Sequence, residues 1–228
     1  MKTLLILSHP DLAGSASQQY LKQSLPDTET ITVHHLESQY PDGKINRERE
    51  QALLRQHDQI IFQFPLYWYS TPALLKKWQD EVLTENFAYG KRGTALQGKQ
   101  FGLVIVVGNS EKAYQAGGTE GFSMSAITIP LQAMAKKVGM AYKTPFLVYQ
   151  FQYLTETEKM RLLIAYQQYL ANSGDSLKAK EQWFLAEIAK TNRATLPAEA
   201  EVRLQQVSEK IKQYRMELDE IQAYLDWI

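Results

Sequence analysis

The sequence predicts an α/β fold: a doubly wound parallel sheet of five strands, covered by helices, with a helical extension at the C-terminus. Three observations predict it. Strand-like and helix-like runs alternate five times between Leu4 and Leu170, the pattern of successive βαβ units. The strand-like runs are nearly continuous in apolar residues, as in Phe101-Gly-Leu-Val-Ile-Val-Val107, which marks strands buried on both faces. Beyond Leu170 the alternation stops, and apolar residues begin to recur every seventh position.

The elements follow in order. Leu4 to Leu7 is the first strand and Ser15 to Gln23 the first helix. Thr30 to His35 is the second strand, and Arg47 to Gln56 a helix for which Asn46 is placed to cap the first turn. Gln59 to Phe64 is the third strand, stopped by Pro65. Pro72 to Leu83 is a helix with proline near its first turn and Leu74, Leu75, Trp78 and Val82 on one face. Phe101 to Val107 is the fourth strand, Ser125 to Val138 a helix, Ala141 to Tyr149 the fifth strand and Glu156 to Leu170 a helix. These elements make one domain, 1–172. A second, 173–228, reads as a helical hairpin: Leu177 to Lys190, a turn from Thr191 to Pro197 with Thr195 as cap, and a long last helix. In that helix Leu204, Ile211, Leu218 and Leu225 share one heptad position, and Val207, Tyr214, Ile221 and Ile228 share the other. Such a helix either packs on its neighbour in the chain or joins a dimer or tetramer.

Composition excludes several function classes. The 228 residues carry 25 basic and 25 acidic side chains, a balance that argues against nucleic acid or an anionic membrane as the main partner. The same balance argues against a one-electron carrier of the strongly acidic type. There is no cysteine, hence no disulfide framework, no thiolate metal site and no thiol redox couple. Redox chemistry in this chain would need a cofactor. No apolar run approaches the roughly 20 residues of a membrane span, and the N-terminal run is short and leads into a polar loop. A cytoplasmic protein is expected. His34, His35 and His57 end a strand or a helix with no metal-ligand spacing around them, so no metal site is expected.

Three loops carry the unusual composition, each at the end of a strand. Doubly wound sheets bind ligands beyond those ends, where the strand order reverses. In the first loop His9, Ser15 and Ser17 surround the start of a helix, whose unpaired amides and dipole favour an anion. Neither G-x-G-x-x-G nor G-x-x-x-x-G-K-[ST] is present, so this loop is built from Ser, His and Gly instead. The second loop, Pro65-Leu66-Tyr67-Trp68-Tyr69-Ser70-Thr71-Pro72, sets three aromatics between two prolines. It suits a flat heteroaromatic ring, through edge contacts and backbone N–H groups. The third, Gly108-Asn109-Ser110-Glu111 through Gly121, has glycines that let backbone approach a ligand, and Tyr114 to place a hydroxyl over it.

At these residues the chain resembles a family. Ser8-His9-Pro10, the block PLYWYSTPALLKKW (65–78), the block AYGKRGTALQGK (88–99) and the stretch from Tyr114 to Phe122 are similar to flavodoxin-like NAD(P)H:quinone oxidoreductases. The likeness is strongest to bacterial members that include ancillary subunits of glutathione-gated potassium efflux systems and general stress proteins. It covers roughly Met1 to Leu170. It implies a flavodoxin-like strand order, 2-1-3-4-5, and FMN or FAD as cofactor, with FMN favoured. His9, Ser15 and Ser17 would hold the flavin phosphate. Pro65, Leu66, Tyr67 and Trp68 would line the isoalloxazine, Gly108 and Asn109 would bond its pyrimidine end, and Tyr114 would be the catalytic group beside the ring. Tyr89, Tyr69 and Glu120 would line the substrate pocket, Tyr89 across a homodimer interface.

The implied activity is ping-pong hydride transfer from NAD(P)H to a quinone or similar acceptor. The implied alternatives are a regulatory flavoprotein subunit docked on a potassium-efflux transporter, and a family member that has lost flavin. The chain departs from the family pattern at three places. Ser17 stands where relatives usually have Asn, and Val106-Val107-Gly108-Asn109 where they usually have Thr-Thr-Gly-Gly. No His lies near Thr119 or Glu120. An altered catalytic rate is the expected consequence.

Overall fold

The computed structural model describes residues 1–25, 30–174, 176–191 and 196–227. It forms two compact units, Met1–Ala171 and Asn172–Ile228. The caps and heptad positions expected at Thr195 and Ile228 lie outside the described residues.

In the first unit the strands are β1 (Thr3–Leu7), β2 (Ile31–His35), β3 (Gln59–Pro65), β4 (Gln100–Val107), β5 (Ala141–Tyr142) and β6 (Phe146–Tyr149). The helices are α1 (Ala16–Gln23), α2 (Leu36–Gln39), α3 (Arg47–Gln56), α4 (Ala73–Val82), α5 (Met124–Ile127), α6 (Ile129–Lys137) and α7 (Glu156–Ala171). All strand pairs are parallel, in the order β2-β1-β3-β4-β5, with β6 also paired to β4. Every residue of β1 and of β3 is buried, which is why these runs are mostly apolar, with Thr3, Gln59 and Gln63 as buried polar exceptions. Successive side chains go to opposite faces. Leu4, Ile6, Ile60, Phe62, Leu103 and Ile105 pack with Trp78 and Leu75 of α4; Leu5, Ile61 and Val104 pack with Leu21 of α1 and Tyr166 and Leu170 of α7. Asn46 caps α3, its side chain accepting the Arg49 amide at 3.0 Å.

Three expectations are corrected, each at a residue with restricted backbone. β3 ends at Pro65 as expected but includes it, one residue beyond the expected Phe64, at the strand's end where a proline is tolerated. The helix expected over 125–138 is two, α5 and α6. Proline in the first turn of α6 cannot continue α5, and Thr128 turns between them with its hydroxyl on the Met124 carbonyl at 2.9 Å. The fifth strand is split into β5 and β6 around Lys143-Thr144-Pro145. Pairing shifts by one residue across the break, from Gln100 with Ala141 to Val104 with Phe146, so the insertion acts as a bulge. The sheet therefore has six strands in five positions.

The described residues of the second unit form two helices, α8 (Leu177–Lys190) and α9 (Ala198–Leu225). The Ser176 side chain caps α8 by accepting the Ala179 amide at 3.1 Å. No helix among the described residues is long and apolar enough to cross a membrane.

Candidate active site

Parallel pairing sets the ends of β1, β3 and β4 side by side. The Ser8 amide donates to the Gln63 carbonyl, and the Leu66 amide to the Val106 carbonyl, each at 2.9 Å. The three loops singled out in the sequence therefore share one edge of the sheet, beyond the carboxyl ends of its strands.

In the first loop His9 is buried, and its Nδ1 accepts the Asp11 amide at 3.1 Å. The neutral ring then carries its proton on Nε2, as a donor. Burial is the largest influence on this ring and holds its pKa below the ordinary histidine value, outweighing Glu37 and Asp11. Ser15 is the N-cap of α1, but its hydroxyl makes no cap bond; it lies 3.4 Å from the Ser17 hydroxyl. The first amides of α1, two hydroxyls and a neutral imidazole N–H thus form a donor set suited to an anion.

Behind this loop stands a hydrogen-bonded group that no local sequence pattern announces. Buried Ser8 donates its hydroxyl to Glu37 Oε1 at 2.6 Å. His35 Nε2–H donates to the His9 carbonyl at 3.2 Å and lies 3.1 Å from Glu37 Oε2, while the Ser38 hydroxyl donates to His35 Nδ1 at 2.6 Å. Burial pushes the Glu37 carboxyl up, and the His35 and Ser8 donors outweigh it and hold it below the ordinary range. Ser8 and Glu37 are 29 residues apart, and nothing in the local pattern pairs them.

In the second loop Tyr67 and Ser70 exchange both backbone hydrogen bonds, at 3.1 and 3.0 Å, around Trp68 and Tyr69. Those two residues hold φ of 47° and 62°. A two-residue turn with both centres left-handed normally takes Asn-Gly, and each side chain there costs roughly 1–2 kcal/mol. Strain of this kind concentrates at ligand sites. The turn leaves Trp68 93% exposed, and among the described residues the amides of Trp68 and Tyr69 have no backbone partner. The Tyr67 ring lies 6.3 Å from His9, which links the first loop to the second.

Glu120 joins the second loop to the third. Its Oε2 accepts the Tyr69 hydroxyl and its Oε1 the Asn109 side-chain N–H, both at 2.8 Å. Tyr114 is packed 6.4 Å from Tyr149, ring to ring. Burial, then the Glu120 charge, raises the Tyr114 pKa above the ordinary tyrosine value, so it is a neutral donor. Beside these loops is a cavity of about 470 Å³, lined by Leu66, Tyr69, Thr71, Tyr89, Thr128 and Leu131 among others. The Thr71 hydroxyl is buried without a hydrogen-bond partner among the described residues. Neither the anion loop (His9, Ser15, Ser17) nor Gly108 and Asn109 line this cavity. Tyr69 is the residue it shares with the Glu120 latch.

The latch has a signed pH dependence. The bond to Glu120, then its charge, raises the Tyr69 pKa. On the alkaline side the latch is therefore kept through neutral pH and is lost as pH rises through the raised Tyr69 value, above the ordinary tyrosine pKa of about 10. Glu120→Gln should bring the Tyr69 titration back toward that ordinary value, as followed by NMR of ring-labelled tyrosine. An unmoved Tyr69 resonance would mean that the latch does not form in solution.

Among the described residues no three His, Cys, Asp or Glu side chains group as a metal site. His34 and His57 are occupied elsewhere, His34 on Glu50 at 2.9 Å and His57 on the Leu53 carbonyl at 2.8 Å.

A family model described as a flavodoxin-like fold matches residues 1–171. The chain belongs to this flavodoxin-like family. One flavodoxin-like relative is named as an uncharacterized NAD(P)H oxidoreductase, YrkL of Bacillus subtilis, and is 44% identical over 69% of this chain and 91% of its own. Another is named as the glutathione-regulated potassium-efflux system ancillary protein KefG of Cronobacter sakazakii, 40% identical over 75% of this chain and 93% of its own. Among solved structures, an NADPH-quinone reductase from P. pentosaceus superposes with a TM-score of 0.71 at 45% identity, covering 76% of this chain and all of that one. General stress protein 14 from Treponema denticola, in complex with FMN, superposes with a TM-score of 0.68 at 36% identity, covering 75% of this chain and 97% of that one. The four cover between 69% and 76% of this chain.

Proposed function

We propose that this protein is a flavin-dependent NAD(P)H oxidoreductase that reduces a quinone-like acceptor. The observation that carries the reading is the edge of the sheet where three loops present complementary parts: an anion donor set, a strained aromatic turn with free amides, and a latched loop bearing a neutral tyrosine. The flavodoxin-like relatives named above support the same chemistry.

A flavin suits the residues present. Among the described residues the Trp68 and Tyr69 amides have no backbone partner, and a Cβ built on Gly108 would meet nothing within 4 Å, so that position leaves open space at the site. His9 Nε2–H, the α1 amides, Ser15 and Ser17 would hold the phosphate. The turn from Pro65 to Trp68, with Gly108 and Asn109, would hold the ring system, for which Asn109 is oriented by Glu120. Bound there, a flavin would take hydride from NAD(P)H and pass it to the acceptor, each substrate using one pocket in turn. The protein contributes orientation, exclusion of water by the Trp68 and Tyr69 rings, and a neutral hydroxyl on Tyr114 that can donate to charge developing beside it. The cavity lined by Tyr69, Tyr89 and Leu131 is our candidate for the acceptor end of the site. We take FMN as the cofactor, a homodimer as the working unit and the cytoplasm as the location.

A second reading is favoured by the relative named as a potassium-efflux ancillary protein. In that reading the same flavin site serves a subunit that docks on a membrane transporter, and the two roles are compatible.

The test is direct. Purified protein should show the visible absorption of bound flavin, bleached by anaerobic NADPH or NADH and restored by a quinone. Initial rates should then give parallel double-reciprocal lines. Colourless protein that takes up neither FMN nor FAD would overturn the enzyme reading and leave a member of the family without flavin. Coloured protein that neither nicotinamide reduces would favour the docking subunit.

A further inference from the structure

The second unit carries a surface that this chemistry does not use. α8 and α9 run antiparallel: Lys178, near the start of α8, lies 3.3 Å from Asp219, and Glu181 lies 2.6 Å from Arg215. The line Leu204, Ser208, Ile211 and Arg215, spaced three and four apart, is the partly buried face of α9. α9 has 28 residues and α8 has 14, so α9 continues for about two turns beyond Asp219, where α8 begins.

A second apolar line is left over on α9. Val207, Tyr214 and Ile221, seven apart, are 43%, 51% and 57% exposed, and no residue of α9 is fully buried. Exposed apolar lines of this length mark interaction surfaces. The charges beside the line change sign along it. Arg203 precedes Val207 by four residues and Lys210 precedes Tyr214 by four; Glu217 precedes Ile221 by four, with Glu220 adjacent. On the other face Arg215 pairs with Glu181 of α8 and with Asp219, and Asp219 with Lys178 of α8. Among the described residues, Arg203, Lys210, Glu217 and Glu220 enter no ion pair.

We propose that this face of α9 binds the same face of a second copy of the chain, antiparallel, about a two-fold axis at Tyr214. An isologous contact must be self-complementary under that axis, and a line that is basic at one end and acidic at the other is so only when antiparallel. Lys210 of each copy then faces Glu217 of the other, Val207 faces Ile221, and Arg203 reaches the exposed ring of Tyr224. Parallel pairing sets Lys210 on Lys210 and Glu217 on Glu217, which the like charges oppose. An anionic lipid surface needs basic charge along the whole line, and here two bases are balanced by two acids.

The chain has no cysteine, so an introduced thiol reports only its own position. In the full-length protein, Tyr214→Cys should form a disulfide-linked dimer on mild oxidation. Val207→Cys and Ile221→Cys should link readily when mixed and poorly when each is alone. Separately, Lys210→Glu and Glu217→Lys should each weaken association about tenfold by sedimentation, because each reverses two symmetric contacts, and the double variant should restore it. Equal self-linking at positions 207, 214 and 221 would mean parallel pairing and overturn the proposal. No linking at any position would overturn it too, showing this face covered by another part of the chain or by another protein. Helical circular dichroism of each variant separates lost association from lost folding. If the first unit also pairs, these variants reduce a larger assembly to that dimer, and the cross-linking readout is unaffected.

Discussion

Replacing Glu50 by alanine should lower the stability of the first unit by about 3–5 kcal/mol, the cost of leaving a buried, hydrogen-bonded charge cluster without its centre. Glu50 is fully buried. Its Oε1 accepts from His34 Nε2 at 2.9 Å and from the Tyr40 hydroxyl at 2.5 Å, and its Oε2 accepts from Trp78 Nε1 at 2.7 Å. The three donors come from β2, from the residue that follows α2, and from α4, and all three are buried. One carboxylate therefore ties α3 to the sheet and to its neighbouring helices. Its loss strands three donors, each costing about 1–3 kcal/mol when unpaired. Glu50→Gln keeps a carbonyl oxygen for two donors but turns an NH₂ toward the third, so its loss should be smaller.

The network also fixes a pH dependence. Burial pushes the Glu50 carboxyl up, and the donors His34, Tyr40 and Trp78 together outweigh it, so its folded pKa lies below the ordinary value. The stability it contributes is present above the unfolded glutamate pKa, about 4.3, and is lost as pH falls through the lower folded value. Tyr40, pushed up to about 12 by burial and by Glu50, stays protonated throughout. Urea midpoints of parent and Glu50→Gln should therefore converge as pH drops below about 4. A Glu50→Ala unfolding free energy within about 0.5 kcal/mol of the parent would show that the cluster contributes nothing net.

The cluster also shows which part of the molecule can be read from its sequence. Buried parallel strands announce themselves because both faces select the same residue types, and the cap at Asn46 is local, acting three residues away. Glu50 sits in Arg47-Glu48-Arg49-Glu50, which by composition is a solvated helix face, and its partner His34 is 16 residues earlier on a strand. Only the packing of α3 beside α4, with His34 of β2 in reach, turns that glutamate inward. Glu37 behind Ser8 is the same kind of case. In α9 the heptads were legible, but spacing alone does not say which line α8 covers; the answer depends on the ion pairs at Arg215 and Asp219. The three loops were legible as unusual composition, and parallel topology is enough to bring them to one edge. That Glu120 would hold both Tyr69 and Asn109 was not, because those partners lie 51 and 11 residues away, across two loops without periodicity.

Two glycines of the third loop, which follows β4, should separate a damaged loop from an occupied site. A Cβ on Gly118 would lie 2.3 Å from the Ala113 carbonyl oxygen and 2.5 Å from that of Lys112. Both are backbone atoms, so Gly118→Ala must displace the loop. The Gly118 amide bonds the Gln115 carbonyl at 2.9 Å, and the Glu120 amide bonds the Ala113 carbonyl at 3.1 Å. Moving them takes Glu120 away from Asn109 and Tyr69. Loss of these bonds to a charged group, at about 1.5–3 kcal/mol each, should weaken flavin binding by at least about tenfold, while the melting temperature changes little because the loop is exposed. Gly108 is the opposite case. A Cβ there meets nothing of the protein within 4 Å, so Gly108→Ala should fold and melt as the parent does. If flavin fills that space, its added methyl competes with the ring, and affinity falls with no change in stability. A Gly108→Ala protein that binds FMN as tightly as the parent would move the ring system away from β4, whatever Gly118→Ala does. Weakened binding in both variants, with thermal loss in neither, is the outcome expected of a site formed by the strand end and latched by Glu120.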